Sequence, residues 1–173
     1  MPAHLCGIKV VGTPFGHPEF IAEFARELFL KHDKLHEGII KMPSLQSSWL
    51  LLYYCAVPRI NFLLRTLPPP VSNSIAILHD SRIFSLLCKV FSIPLESNFD
   101  ADLHGVTFSL VRRQAQLPLR YGGLGLRSCV RTAPAAYWSS WADSICILRD
   151  RFPSIFELGV HMLIAPDSVL MHS

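Results

Sequence analysis

Apolar residues recur along most of this chain at helical spacing. From Glu19, the stretch EFIAEFARELFLKHDKLHE places Phe20, Phe24, Leu28 and Leu35 in one stripe, widened by Ile21 and Ala25. Pro18 suits the first turn of that helix and Glu19 its positive end. Ser44 opens a second segment in which Leu45, Trp49, Leu52 and Ala56 keep one face. Pro58 should kink or break it, and LPPP at 67–70 should stop it. A third helix is predicted from Asn73 to Phe91, with Ala76, Ile83, Leu86 and Val90 on one side and Pro94 beyond its end. The acidic segment LESNFDAD, where Asp100 and Asp102 suit helix capping, precedes a fourth helix from Asp102 to Gln116. That helix points Leu103, Val106 and Leu110 inward. In a last long helix, Thr132 serves as cap, Pro134 lies in the first turn, and Trp138, Trp141, Ile145 and Leu148 share a face. Only Cys6 to Val11 reads as a strand, followed by a Gly/Pro turn. One strand cannot make a sheet, so the expected fold class is mainly α with one short N-terminal strand.

Composition narrows this picture. Half of the 173 residues are apolar and 17% are charged, which can bury a core and argues against disorder. Thirteen prolines predict short, punctuated helices. The most apolar run, WLLLYYCAV, is far shorter than the roughly 20 residues of a membrane span, so it reads as a buried helix and no membrane association is expected. The opening residues lack the charged start and apolar core of a secretory signal. Five widely spaced cysteines without a C-x-x-C pair predict mostly buried free thiols in a reducing, intracellular setting.

Charge is unevenly placed. Residues 103–142 carry Arg112, Arg113, Arg120, Arg127 and Arg131 and no carboxylate, a window of +5 in a chain of net charge +3. A basic patch of this kind suits a phosphate-bearing partner. Within it lies YGGLGLRS, whose glycines invite a phosphate-loop reading. No lysine comes after them and no strand precedes them, so a tight turn with close backbone packing is favoured. His32 and His36 share a helix face at i, i+4 spacing, but a third metal ligand is not evident. Lys31 and Lys34 interleave with them as on a solvated surface. Tyr53, Tyr54, Trp138 and Trp141 could stack on bases, although aromatic residues at helical spacing beside leucines more often belong to a core. There is no G-x-S-x-G elbow and no close carboxylate pair, so nothing composes an independent active site.

The order of these elements resembles the segment downstream of the catalytic palm in non-LTR (LINE-type) retrotransposon reverse transcriptases. GIKVVGTPFG resembles the primer-grip strand and turn, with Val11 and Gly12 matching its hydrophobic–glycine pair. The stretch from LQSSWLLLYY through VFSIP resembles the thumb helices, and LPLRYGGLGLRSCVRTAPAAYWSSW the later GGLG element. The likeness covers about residues 7 to 145 and divides the chain into a primer-grip-like strand and turn at 1–16, a thumb-like helical region at 17–95 and a downstream helical region at 96–173. Such polymerases hold two magnesium ions through aspartates that include a Y-x-D-D turn. This chain has no D-D pair, palm sequence, endonuclease region or Cys/His knuckle, so no cofactor is expected. The resemblance therefore implies a noncatalytic fragment whose inherited role is to bind RNA or an RNA–DNA primer–template through phosphates. Its contacts would be Arg112, Arg113, Arg120, Arg127 and Arg131, with Lys9 and Gly12 near a primer end and a palm domain or other protein as partner. The alternative is a helical protein-interaction module or an inactive mobile-element remnant.

Overall fold

The chain enters through a β-hairpin. In the computed structural model, which describes residues 6–93 and 101–164 and the backbone alone at 101–108 and 161–164, β1 (Gly7–Val10) pairs antiparallel with β2 (Thr13–Gly16). Val10 lies opposite Thr13, so Val11 and Gly12 form a two-residue turn with φ of 47° and 87°. The predicted single strand thus has its partner three residues on. Two features concealed it: a β-branched valine where both turn residues need positive φ, and Pro14 within the second strand. Pro14 and Thr13 are buried, and the Thr13 hydroxyl donates to Thr66 Oγ1 at 3.1 Å, seating the hairpin on the helical body.

The remainder is helical, as expected. α1 (Pro18–Ile40) starts at the predicted proline, with His17 Nδ1 accepting from the Glu19 amide at 3.3 Å. Its buried line is Ala25, Phe29, His32 and Ile39, one position round from the expected stripe. The face predicted to be solvated at His32 is therefore a core face: His32 is 3% exposed, His36 is half-buried, and Lys31 and Lys34 occupy the opposite side. The 4–3 spacing through 25, 29, 32, 36 and 39 brings both imidazoles under the helix while the lysines stay wet.

α2 (Leu45–Leu51) is capped by Ser44, whose hydroxyl accepts from the Ser47 amide. It then widens into a π-helical turn at Leu52–Ala56 and tightens into a 3₁₀ turn at Val57–Ile60 around Pro58. α3 (Asn61–Thr66) comes next, ending at Leu67, which adopts the extended backbone that a following proline imposes. LPPP thus stops one helix, but it also starts the next: α4 (Pro69–Val90) begins at Pro69, four residues before the expected Asn73, because prolines fit a first turn.

α5 (Ala101–Gln116) leads into a short 3₁₀ turn at Leu119–Tyr121, then into α6 (Cys129–Arg151) and α7 (Pro153–Ile164). The acidic segment before α5 and the inward positions Leu103 and Val106 lie outside the described residues and side chains. Leu110 does not point inward and is 54% exposed. The buried point of α5 is Ala115, which lies about 140° round the helix from Leu110 at 100° per residue.

Two adjoining apolar clusters form the core. One gathers Phe29, Ile60, Leu63, Leu64, Leu67 and Ile75 with Cys129 and Ala133 of α6. The other gathers Ile39, Leu52, Ala56, Ile83, Leu86 and Leu87 with Ala115 and Leu126. Each fully buried aliphatic side chain of this kind contributes roughly 1.5–3 kcal/mol. Of the cysteines, Cys88 and Cys129 are buried while Cys6, Cys55 and Cys146 are exposed, so the thiols are not mostly interior. Among the described residues, no helix is long and apolar enough to cross a membrane.

Candidate nucleic-acid interface

The arginine-bearing segment is built around a glycine turn whose amides are already used. Gly122 N–H donates to Leu119 O, Gly123 N–H to Pro118 O, Gly125 N–H to Leu117 O at 2.8 Å, and Leu124 and Leu126 N–H both to Ala115 O. A phosphate loop needs free amides, and these wrap the end of α5 instead. Gly122 and Gly125 have φ of 75° and 69°, and a side chain on Gly123 would run into the backbone of Leu117 and Gln114. The glycines do the structural job of a tight turn with close packing.

The helix beyond this turn is anchored from a distance. Ser128, not Thr132, caps α6, its hydroxyl accepting from the Arg131 amide, so Pro134 falls inside the helix rather than in its first turn. The Asp80 carboxylate of α4 is 6% exposed and accepts from Ser128 Oγ at 2.8 Å, the Cys129 amide at 2.8 Å and the Val130 amide at 3.4 Å. A negative group at a helix N-terminus satisfies orphan amides and complements the dipole. Sequence reasoning missed Asp80 because its partners lie about fifty residues away. Its only local signal was a lone aspartate in an apolar helix. Cys129 is buried beside it, and burial pushes its thiol up, so it is inert as a nucleophile.

This anchoring sets the positions of the predicted arginines. Arg113, Arg120, Arg127 and Arg131 are exposed and Arg112 is half-buried. The Arg112 guanidinium lies 6.0 Å from the Phe84 ring centre and that of Arg120 4.8 Å from Tyr121. None of the five is in an ion pair among the described residues; the ion pairs found there join Arg26 to Glu23, Arg65 to Asp143, Arg82 to Asp33 and Arg149 to Asp150. Lys9 and Gly12 sit apart from them on the hairpin. The Lys9 ammonium lies 5.2 Å from the Phe24 ring centre, and Gly12 faces Phe62.

Of the five, Arg127 lines a cleft of about 380 Å³ that Arg65 of α3 also enters. Tyr53, Tyr54, Asn61 and Thr132 line it too. The aromatic residues expected in the core divide: Tyr53 is half-buried, but Tyr54, Trp138 and Trp141 are 67%, 51% and 38% exposed. α6 buries only Cys129 and Ala133, near its start, so the two tryptophans further along stay at the surface. Elsewhere, His32 and His79 meet edge to face at 6.4 Å, and His79 Nε2 lies 3.1 Å from Val57 O. Burial, reinforced by the nearby Arg59 cation, pushes the His32 imidazole down to about 4, and burial also lowers His36 and His79. Among the described residues, no three His, Cys, Asp or Glu side chains are grouped to hold a metal ion.

Over 120 residues, 69% of its length, the chain is 26% identical to the retrotransposable element SLACS 132 kDa protein of Trypanosoma brucei gambiense. The matched stretch is 9% of that protein, so the chain spans a small part of the relative it resembles. No family model matches the sequence, and no solved structure matches it. The similarity supports a retrotransposon-related origin for this chain.

Proposed function

We propose that this chain is a noncatalytic, thumb-like region of a non-LTR reverse transcriptase-type protein, and that it grips an RNA–DNA primer–template through phosphates with little sequence readout. The observation that carries this reading is the state of the basic window. Four of its five arginines are exposed, and none is neutralised by a carboxylate among the described residues. Guanidinium groups without a carboxylate partner among the described residues are suited to phosphate oxygens, which they engage in a bidentate manner. The retrotransposon-related origin agrees with a polynucleotide as the partner. The test is binding of a labelled RNA–DNA hybrid across a salt titration. Tight binding that weakens steeply with salt is the expected result. No binding at about 50 mM salt, a permissive condition for phosphate contacts, would overturn the reading.

A second reading, a helical protein-interaction module, draws on the groove of about 580 Å³ between α1 and α4, where Leu30 and Leu78 are 59% and 46% exposed. A chain that is monomeric, melts cooperatively and ignores nucleic acid would favour it. One that is molten would mark an inactive remnant instead.

A further inference from the structure

The cleft beside the glycine turn carries more than positive charge. Leu52 and Ala56 of the π turn are both fully buried, half-buried Tyr53 packs against the core, and Tyr54 and Cys55 are exposed. π turns of this kind are rare and occur disproportionately at functional sites. Here the turn builds an aromatic platform. Trp49 stacks on Tyr53 at 5.4 Å and 26°, and Tyr54 meets Tyr53 edge to face at 4.8 Å. Gly125 packs against the same ring, where an added Cβ would lie 3.3 Å from Tyr53 Cε2. Tyr53 is thus fixed by its neighbours, and it supports Tyr54, which stays 67% exposed.

Two guanidinium groups reach this platform from different elements. Arg127 lies two residues after Gly125, and Arg65 comes from α3. Asp143 pairs with Arg65 at 3.4 Å, but both side chains are more than half exposed. An exposed pair of this sort contributes little and yields readily to a competing anion. The cleft therefore joins a held aromatic ring, two cations and the Asn61 amide in a volume suited to a small ligand.

We propose that this cleft binds one unpaired nucleotide of a polynucleotide strand, with its base on Tyr54 and its phosphate at Arg65 and Arg127. A base inside a duplex already has both faces stacked, so only an unpaired or terminal base can take the ring. The proposal rests on the phosphate-gripping reading above and adds to it a position and a strand state.

The test uses two RNA–DNA hybrids with single-stranded RNA overhangs of equal length, one carrying its bases and the other abasic. Phosphate number is then equal, and only the base differs. The wild-type chain should bind the base-bearing overhang at least about fivefold more tightly, the lower end of what one base-on-aromatic stack contributes. Tyr54→Ala should erase that preference and leave affinity for the abasic hybrid unchanged, while Tyr54→Phe should keep it. Melting of Tyr54→Ala at the wild-type temperature would show that the fold is intact. Equal wild-type binding of the two hybrids, or a preference that survives Tyr54→Ala, overturns the cleft proposal alone. Failure to bind either hybrid overturns the phosphate reading, and the cleft with it.

Discussion

Asp80 is a buried carboxylate whose oxygens meet one hydroxyl and two backbone amides of a helix some fifty residues on. Replacing it with alanine leaves those donors without an acceptor in an apolar setting. Asp80→Ala should therefore lower stability by about 2 kcal/mol, combining a lost cap with unsatisfied buried amides. A urea melt measures this, and an unchanged midpoint would contradict the assignment. His32 makes a second prediction at this scale. Its folded-state pKa is about 4, below the ordinary value near 6.5. Above about pH 6.5 the imidazole is neutral in both states, and its contribution to stability is complete. Between about pH 6.5 and 4 the unfolded chain takes up a proton that the folded chain refuses, so stability falls across that window. His36 and His79 shift in the same direction and add to the loss. A denaturation midpoint that stays level from pH 7 to pH 4 would contradict this burial.

Among elements, the glycine turn and the π turn depend on each other. Gly125 holds φ at 69° and abuts Tyr53, so a methyl group there meets both backbone strain and the ring. Gly125→Ala should cost roughly 1–2 kcal/mol, the penalty for an L-residue in the left-handed region, read as a lower melting temperature. A neutral result would mean that the turn relaxes freely. These elements also differ in how far they were legible. α1 was readable at its start because Pro18 and Glu19 act within one turn of where they stand. The break at Pro58 was readable for the same reason. The hairpin was not, since Val11–Gly12 lacks the usual asparagine or aspartate signal and places a β-branched residue at positive φ. Residue type alone starts α6 four residues too late, because Thr132 is a plausible cap while the actual cap, Ser128, is held by distant Asp80.

Over the whole molecule, charge and core share one segment. Leu126, Cys129 and Ala133 enter the two apolar clusters, while Arg127 and Arg131 between them stay exposed. Alternation along the entry to α6 thus anchors the backbone that carries these cations, which reduces the ordering cost of binding. If all five arginines of the window neutralise phosphates, affinity should fall with a log–log salt slope of about −4.5, near 0.9 per phosphate as for duplex DNA. Each Arg→Ala change should then lessen that slope by about one. A slope near zero would show that the arginines do not face the polynucleotide. The arginine window was visible in the sequence because net charge is additive along the chain. Its pairing state was not, because it depends on which carboxylates the fold brings near.

Local sequence fixes that the chain is mainly helical, that Pro58 and the LPPP run interrupt it, and that its positive charge gathers around the glycine turn. These outcomes come from helical periodicity, proline geometry and residue type, all of which act over a few positions. Tertiary structure decided the rest. It drew His32 into the core, set Asp80 under the start of α6, turned Trp138 and Trp141 outward, and brought Arg65 and Arg127 to one cleft beside Tyr54. Each of these outcomes rests on contacts between residues distant in the chain, and such contacts are chosen by how helices share a buried surface.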